Sequence, residues 1–244
     1  VATTYPVRTT FALSFPRGML HRFYPSSLAF SFSLTARGYF DDCDVIQAHN
    51  GFAEGVAAVK AFSGHKPVVV TVHGTDVNMF AMKPSLRPSI VGALNNAAHV
   101  ICVGTDLKHK LTGMGVSTPM TVVPNGIDTE LLSPGDKSES AASLGLDTVR
   151  KRVLFAGNFV PVKGIENLIR AVPSVLGAYP DCEFVLLGAH PGEKDRAKYR
   201  REIERAGAAG NVRIVERVPH ETLPSWMRAA DVLAVPSLNE GFGL

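Results

Sequence analysis

The sequence predicts an α/β fold built on parallel sheets, and three observations carry that expectation. From Asp44 onward, short β-branched runs alternate with amphipathic stretches of helical period. The run PVVVTV at 67–72 is continuously apolar, as a parallel strand covered on both faces must be. Turns bearing Gly, Asn, His or acidic residues follow several strand-like runs, at the strand ends where open α/β sheets place their ligands.

The elements follow in order. DVIQA at 44–48 reads as a buried strand, and 51–62 as a helix with Phe52, Val56 and Val59 on one face. After the strand at 67–72 come a helix near 85–97, a strand HVICV at 99–103, a helix from about 105 and a strand MTVVP at 120–124. The rhythm breaks between Asp128 and Gly145, where SPGDKSES is loop-like and a short helix around 139–144 leads out. It restarts with RVLFA at 152–156, a helix over 164–178, EFVLL at 183–187, a charged helix over 193–206, VRIV at 212–215, a helix at 221–230 and DVLAV at 231–235. Pro173 falls inside the 164–178 pattern and should kink or divide that helix. Two α/β units follow, residues 1–134 and 135–244, joined by a linker near 128–137.

Composition excludes several classes. The 244 residues are 45% hydrophobic and 19% charged, which fits a packed core and not a disordered chain. A formal charge of +3 is too weak for a dedicated nucleic-acid binder. Cys43, Cys102 and Cys182 are odd in number and lack CxxC spacing, so neither a disulfide framework nor a zinc site is expected, and a reducing, cytoplasmic compartment is. No apolar run reaches the roughly 18 residues of a membrane span, and the start lacks the order of a secretory signal. The chain opens at Val1 and stops at Leu244, just after a glycine-rich turn, which gives the expectation of a piece of a longer protein.

The first 43 residues differ from the rest. Up to Asp41 they hold Arg8, Arg17, Arg22 and Arg37, no acid, and interleaved Phe and Tyr residues. Two readings stand side by side: core helices with inward aromatics, or a basic aromatic surface over residues 1–40 that rests on anionic lipid or grips a lipid-linked acceptor.

Four turns could carry chemistry. His73-Gly74-Thr75-Asp76 follows the strand at 67–72, with His and Asp on a rigid strand end and Gly permitting close approach of a ligand. Gly157-Asn158 precedes Lys163-Gly164 at the start of a helix. Cations are disfavoured at helix N-termini, so Lys163 needs an anion to justify its place. Pro236 to Leu244 presents Glu240 and then Gly241, Phe242 and Gly243, whose backbone donors could cradle phosphate. Pro124 to Asp128 carries Asn-Gly turn chemistry suited to a hinge. No G-x-S-x-G nucleophile turn, H-E-x-x-H helix or P-loop is present.

Taken together, TVHGTD (71–76), VPNGID (123–128), LFAGNFVPVKG (154–164) and VPSLNEGFGL (235–244), with PHETLPSWMRAAD (219–231) before the last, resemble glycosyltransferase family 4. That resemblance implies the GT-B fold, two Rossmann-like domains facing a cleft, and transfer of a hexose from a nucleotide diphosphate sugar with retention of configuration. Lys163 then matches the lysine that neutralises the donor diphosphate. Glu240 matches an acid that contacts the donor sugar hydroxyls, and Gly241, Phe242 and Gly243 match the turn that meets sugar and phosphate. His73 matches a first-domain histidine near the transferred sugar, beside Gly74 and Asp76. Gly188, Arg217 and Val218 lie where such enzymes hold the nucleobase.

The resemblance further implies that no metal or other cofactor is needed, because Lys163 and peptide dipoles offset the departing diphosphate. It suggests front-face attack, in which the leaving phosphate helps deprotonate the acceptor. The implied partners are the nucleotide-sugar donor and a glycan or lipid-linked acceptor, with peripheral contact at the inner membrane face through residues 1–40 and no nucleic acid. Three departures stand out. Asn158 occupies a position where arginine is common in the family. Asn50-Gly51-Phe52-Ala53-Glu54 is unlike the usual stretch. A second acid is expected eight residues beyond Glu240. A nucleotide-sugar epimerase and a sugar-nucleotide-binding module without catalysis are the alternatives.

Overall fold

A computed structural model describes Ala29 and residues 43–188 and 193–242. The basic aromatic opening, apart from Ala29 and Cys43, lies outside these residues, as does Gly243. The described chain divides into two compact units: residues up to Asn125 together with the segment from Gly241, and Gly126–Glu240.

The first unit is a four-stranded parallel sheet. Its strands are β1 (Ile46–His49), β2 (Val68–Val72), β3 (His99–Cys102) and β4 (Met120–Val122), in the order β1-β2-β3-β4. The connecting helices are α1 (Val56–Phe62), α2 (Arg87–Asn95) and α3 (Thr105–Gly113). Val68, Val70 and Val72 alternate into one apolar core with Val100, Cys102, Ile90, Leu94, Leu107 and Leu111. The helix expected over 51–62 is not continuous. Phe52 adopts extended backbone (φ −136°, ψ 128°), so only a distorted helical turn precedes α1.

The second unit repeats the plan. Its helices are α4 (Lys137–Ser143), α5 (Ile165–Ala178), α6 (Glu193–Arg205) and α7 (Leu223–Arg228). Its strands are β5 (Arg152–Ala156), β6 (Glu183–Leu187), β7 (Val212–Val215) and β8 (Val232–Leu233), parallel and in the order β7-β6-β5-β8. Alternate residues of each strand face opposite sides, and the cores show it. Phe155, Phe184 and Leu186 pack with Ile165, Ile169, Tyr199 and Ile203 on one face. Leu154, Val185 and Leu187 pack with Ala141, Leu146, Trp226 and Ala229 on the other.

Several local causes are visible. Asp136 caps α4 by accepting the Glu139 N–H at 2.7 Å, with the acid at the third helical position that favours such a start. Pro173 does not divide α5, which runs unbroken for 14 residues. The helix expected at 221–230 is shorter, with one tight turn at His220–Thr222 before α7. Strand β8 keeps only two residues; among the described residues it pairs with β5, and Val232 and Leu233 stay about half exposed. The 128–137 linker belongs to the second unit, where the Arg228 guanidinium donates to the Ser133 carbonyl (2.8 Å) and hydroxyl (3.1 Å).

Candidate functional site

The order β7-β6-β5-β8 contains a reversal. From β5 the chain crosses to β6 on one side, while β8 returns to β5's other side. Such a switch point splays the loops that leave the two neighbouring strands and opens a crevice at their carboxyl ends. The loop after β5 carries Gly157, Asn158 and Lys163; the loop after β8 carries Pro236 to Glu240. Both candidate segments of the second unit therefore leave one point of one sheet.

Close backbone contact stitches these loops together. The Leu238 N–H donates to the Val162 carbonyl at 2.8 Å. Gly164 sits at φ 67°, and a Cβ there would lie 2.0 Å from the Pro236 carbonyl oxygen. No other residue meets both demands without shifting the loop. Gly164 also ends the short turn Pro161–Lys163 and starts α5, which fixes where the lysine departs.

Lys163 Nζ donates to Glu240 Oε1 at 2.7 Å, and each side chain is a little over a quarter exposed. The anion that Lys163 requires beside a helix start is thus supplied by the chain's own carboxylate. Burial alone would raise the Glu240 carboxyl; hydrogen bonds from Lys163 and Ser237 and the lysine's charge outweigh it and hold the group below its ordinary range. Glu240 is then ionised throughout neutral pH, an acceptor of hydrogen bonds and not a proton donor.

The other expected positions of this unit are more dispersed. Gly188 ends β6 beside Gly157: a Cβ on Gly188 would lie 1.8 Å from the Gly157 carbonyl oxygen. Asn158 and Arg217 are exposed, whereas Val218 packs against the apolar cluster around Trp226. There its side chain is partly buried and supports the cluster.

In the first unit, β2 delivers His73 and Gly74 into a turn organised by Asp76. The Asp76 side chain is 1% exposed and accepts backbone N–H groups from Gly51 (2.7 Å), His73 (3.2 Å), Gly74 (2.8 Å) and Val77 (3.1 Å). Both oxygens accept from backbone N–H groups, so Asp76 shapes the turn that presents His73 and Gly74. Gly74 has φ 124°, and a Cβ on it would lie 2.6 Å from the Cα of Gly241, which is counted with this unit. Phe242 is exposed.

One residue of this turn escapes sequence reasoning. His49 ends β1, and its Nδ1 lies 2.9 Å from His73 Nε2, with ring centroids 5.2 Å apart. One nitrogen of that contact donates and the other accepts. The register supplies the reason: parallel strands bring their carboxyl ends together, and His49 pairs across from Thr71, two residues before His73.

Among the described residues no group of three or more His, Cys, Asp or Glu could hold a metal ion, and no helix is long and apolar enough to cross a membrane. Cys102 and Cys182 are buried thiols, and burial raises the Cys102 thiol to about 11.

Comparison with known proteins follows this division. Glycosyltransferase Family 4 matches residues 4–131, and Glycosyl transferases group 1 matches residues 136–244. A D-inositol 3-phosphate glycosyltransferase 1 of Catenulispora acidiphila is 32% identical over 220 residues, covering 83% of this chain and 52% of its own length. The chain therefore spans about half of that relative. Among solved structures, sucrose-phosphate synthase from Thermosynechococcus elongatus aligns with a TM-score of 0.78 at 24% identity, over 95% of this chain and 59% of its own. Anabaena HepE, solved in complex with UDP and glucose, aligns with a TM-score of 0.72 at 26% identity, over 93% of this chain and 60% of its own. Parallel α/β sheets of Rossmann type and GT-B glycosyltransferase neighbours agree with the fold class expected from sequence.

Proposed function

The chain belongs to glycosyltransferase family 4, and from that premise we propose that the protein moves a hexose from a nucleotide diphosphate sugar to a hydroxyl-bearing acceptor, with retention of configuration. The observation that carries this reading is the Lys163–Glu240 pair, 2.7 Å apart at the switch point of the second sheet. A cation and an ionised carboxylate on adjacent loops suit the two ends of a sugar diphosphate: the ammonium meets phosphate, and the carboxylate accepts from sugar hydroxyls. The pair satisfies both charges, and the arriving donor takes over each partner.

Bond breaking places negative charge on the departing diphosphate while the sugar becomes oxocarbenium-like. Lys163 lies where that charge develops, and a fixed cation stabilises it without reorganisation at the moment of reaction. Gly164 and Gly188 let the loops that leave the strand ends pack backbone against backbone, which holds Lys163 and Gly157 in place beside the crevice. The UDP and glucose in HepE and the acceptor in the Catenulispora relative's name support a sugar-nucleotide donor and a polyhydroxylated acceptor. Independence from metal, a glycan or lipid-linked acceptor, and work at the cytoplasmic membrane face belong to the same proposal.

The test uses the full-length protein, UDP- and GDP-sugars and a panel of hydroxyl acceptors, with release of nucleoside diphosphate followed with and without acceptor. Lys163→Ala is expected to lower acceptor-dependent release about 100- to 1000-fold, the effect of removing one preorganised charge-stabilising donor. Glu240→Gln is expected to lower it as well while the fold stays intact. Undiminished transfer by Lys163→Ala overturns the assignment, and turnover of the donor's sugar without any acceptor identifies an epimerase instead.

A further inference from the structure

The Asn50–Glu54 stretch, set apart in the sequence, forms one wall of a pocket that the donor chemistry does not use. Asn50, Phe52, Ala53, Glu54, Thr75 and Phe80, with Asp76 beneath, enclose about 470 Å³ within the first unit. The pocket opens at the carboxyl ends of β1 and β2, where a parallel sheet presents its ligands, and shares Asp76 with the turn that carries His73. Its volume falls in the range of small-molecule sites.

The lining is chemically specific. Phe52 and Phe80 form an aromatic pair with centroids 4.9 Å apart. The oxygens of Asp76 are consumed by backbone N–H groups, and the Asn50 N–H is taken by the Thr71 carbonyl at 2.8 Å. Glu54 is different: its Oε2 is buried and meets no hydrogen-bond donor. A buried carboxylate oxygen is costly unless a donor reaches it. Asn50 reinforces the point, because a non-glycine residue at φ 71° marks backbone held out of its preferred regions, a condition that clusters at ligand sites.

Among the described residues no Lys or Arg lines the pocket; Lys83 lies over the Phe80 ring, 5.4 Å from its centroid, and is itself exposed. A phosphate placed beside Glu54 would meet like charge. A hydroxyl would donate into the unpaired oxygen, and the C–H face of its ring would rest on the phenyl groups. We propose that this pocket binds an uncharged, polyhydroxylated ring, a sugar or cyclitol, and that Glu54 selects it over a phosphorylated counterpart. The proposal rests on the transferase reading only in naming that ring as the acceptor, and it separates this chain from the relative whose name specifies an inositol phosphate.

The experiment is ligand-observed NMR titration of the full-length protein with myo-inositol and methyl glucoside, and with inositol 3-phosphate in parallel. UDP and GDP are titrated separately by calorimetry. Wild-type protein is expected to bind at least one neutral ring more tightly than the phosphate ester. Glu54→Gln should weaken the neutral ring at least tenfold, and Phe80→Ala should weaken it too, while nucleoside diphosphate affinity stays within about twofold. Glu54→Lys should reverse the preference. Equal neutral-ring binding by wild type and Glu54→Gln, stronger binding of the phosphate ester by wild type, or no binding of any neutral ring overturns the proposal. Failure to bind either nucleoside diphosphate, with neutral-ring binding and its Glu54 dependence intact, defeats the transferase reading and leaves the pocket assignment standing.

Discussion

Lys163 was legible because its position is locally unfavourable: a cation near the start of a helix points to a nearby anion. The structure answers with Glu240, 76 residues after Gly164, which no local periodicity could have connected to it. Asp76 shows the opposite case. Its place at a strand end beside His73 was legible, but its four backbone donors were not, and only the fold brings Gly51 to its Oδ2. His49 was missed because a lone histidine at a strand end carries no signal until register places it beside a second one. We propose that His73 acts near the transferred sugar, as the family resemblance implies, and that the bond between them makes His49 a positioning residue. His49→Ala should lower kcat about 10- to 100-fold with little change in donor KM, since small misplacements of a reacting group cost that much. His49→Gln, which retains a hydrogen-bonding side chain, should recover part of it. A His49→Ala enzyme with unchanged kcat would show that His73 needs no such support.

At the scale of elements, RVLFA, EFVLL and VRIV were readable with their limits because a strand covered on both faces must be apolar along most of its length. The first residues of two of them hid something. Arg152 and Glu183 are cross-strand partners in the parallel register, both essentially buried, with Arg152 Nε donating to Glu183 Oε2 at 2.8 Å. The guanidinium also donates to the Ala229 and Asp147 carbonyls, at 2.8 and 3.0 Å. One guanidinium therefore ties β5 to β6, to the chain after α7 and to the loop before β5. Glu183→Ala strands that buried charge, and a loss of about 3–5 kcal/mol is expected in denaturant unfolding. A loss below about 1 kcal/mol would contradict the role given to the pair. The elements misjudged from sequence fail for tertiary reasons: Asp76 takes the Gly51 N–H and fixes the start of residues 51–55, and β8 pairs with β5 over only two residues.

For the whole molecule, alternation of strand and helix announced parallel sheets but not strand order, since hydrophobic period carries no information about which strand lies beside which. The reversal between β5 and β8 is the decisive feature and had to be seen in the fold. It turns two loops far apart in sequence into one site, and it explains the glycine at 164, which lies against Pro236. Both units follow the same plan of a four-stranded parallel sheet with helices, matched by two family descriptions in succession along the chain. The account stands on the ammonium of Lys163 exchanging Glu240 for a diphosphate. Calorimetric titration of the full-length protein with UDP and GDP tests that exchange directly. Lys163→Ala should bind the preferred diphosphate at least tenfold more weakly than wild type, and Glu240→Gln, which releases the lysine, should bind it as tightly or more so. Equal affinity in wild type and Lys163→Ala would contradict the account.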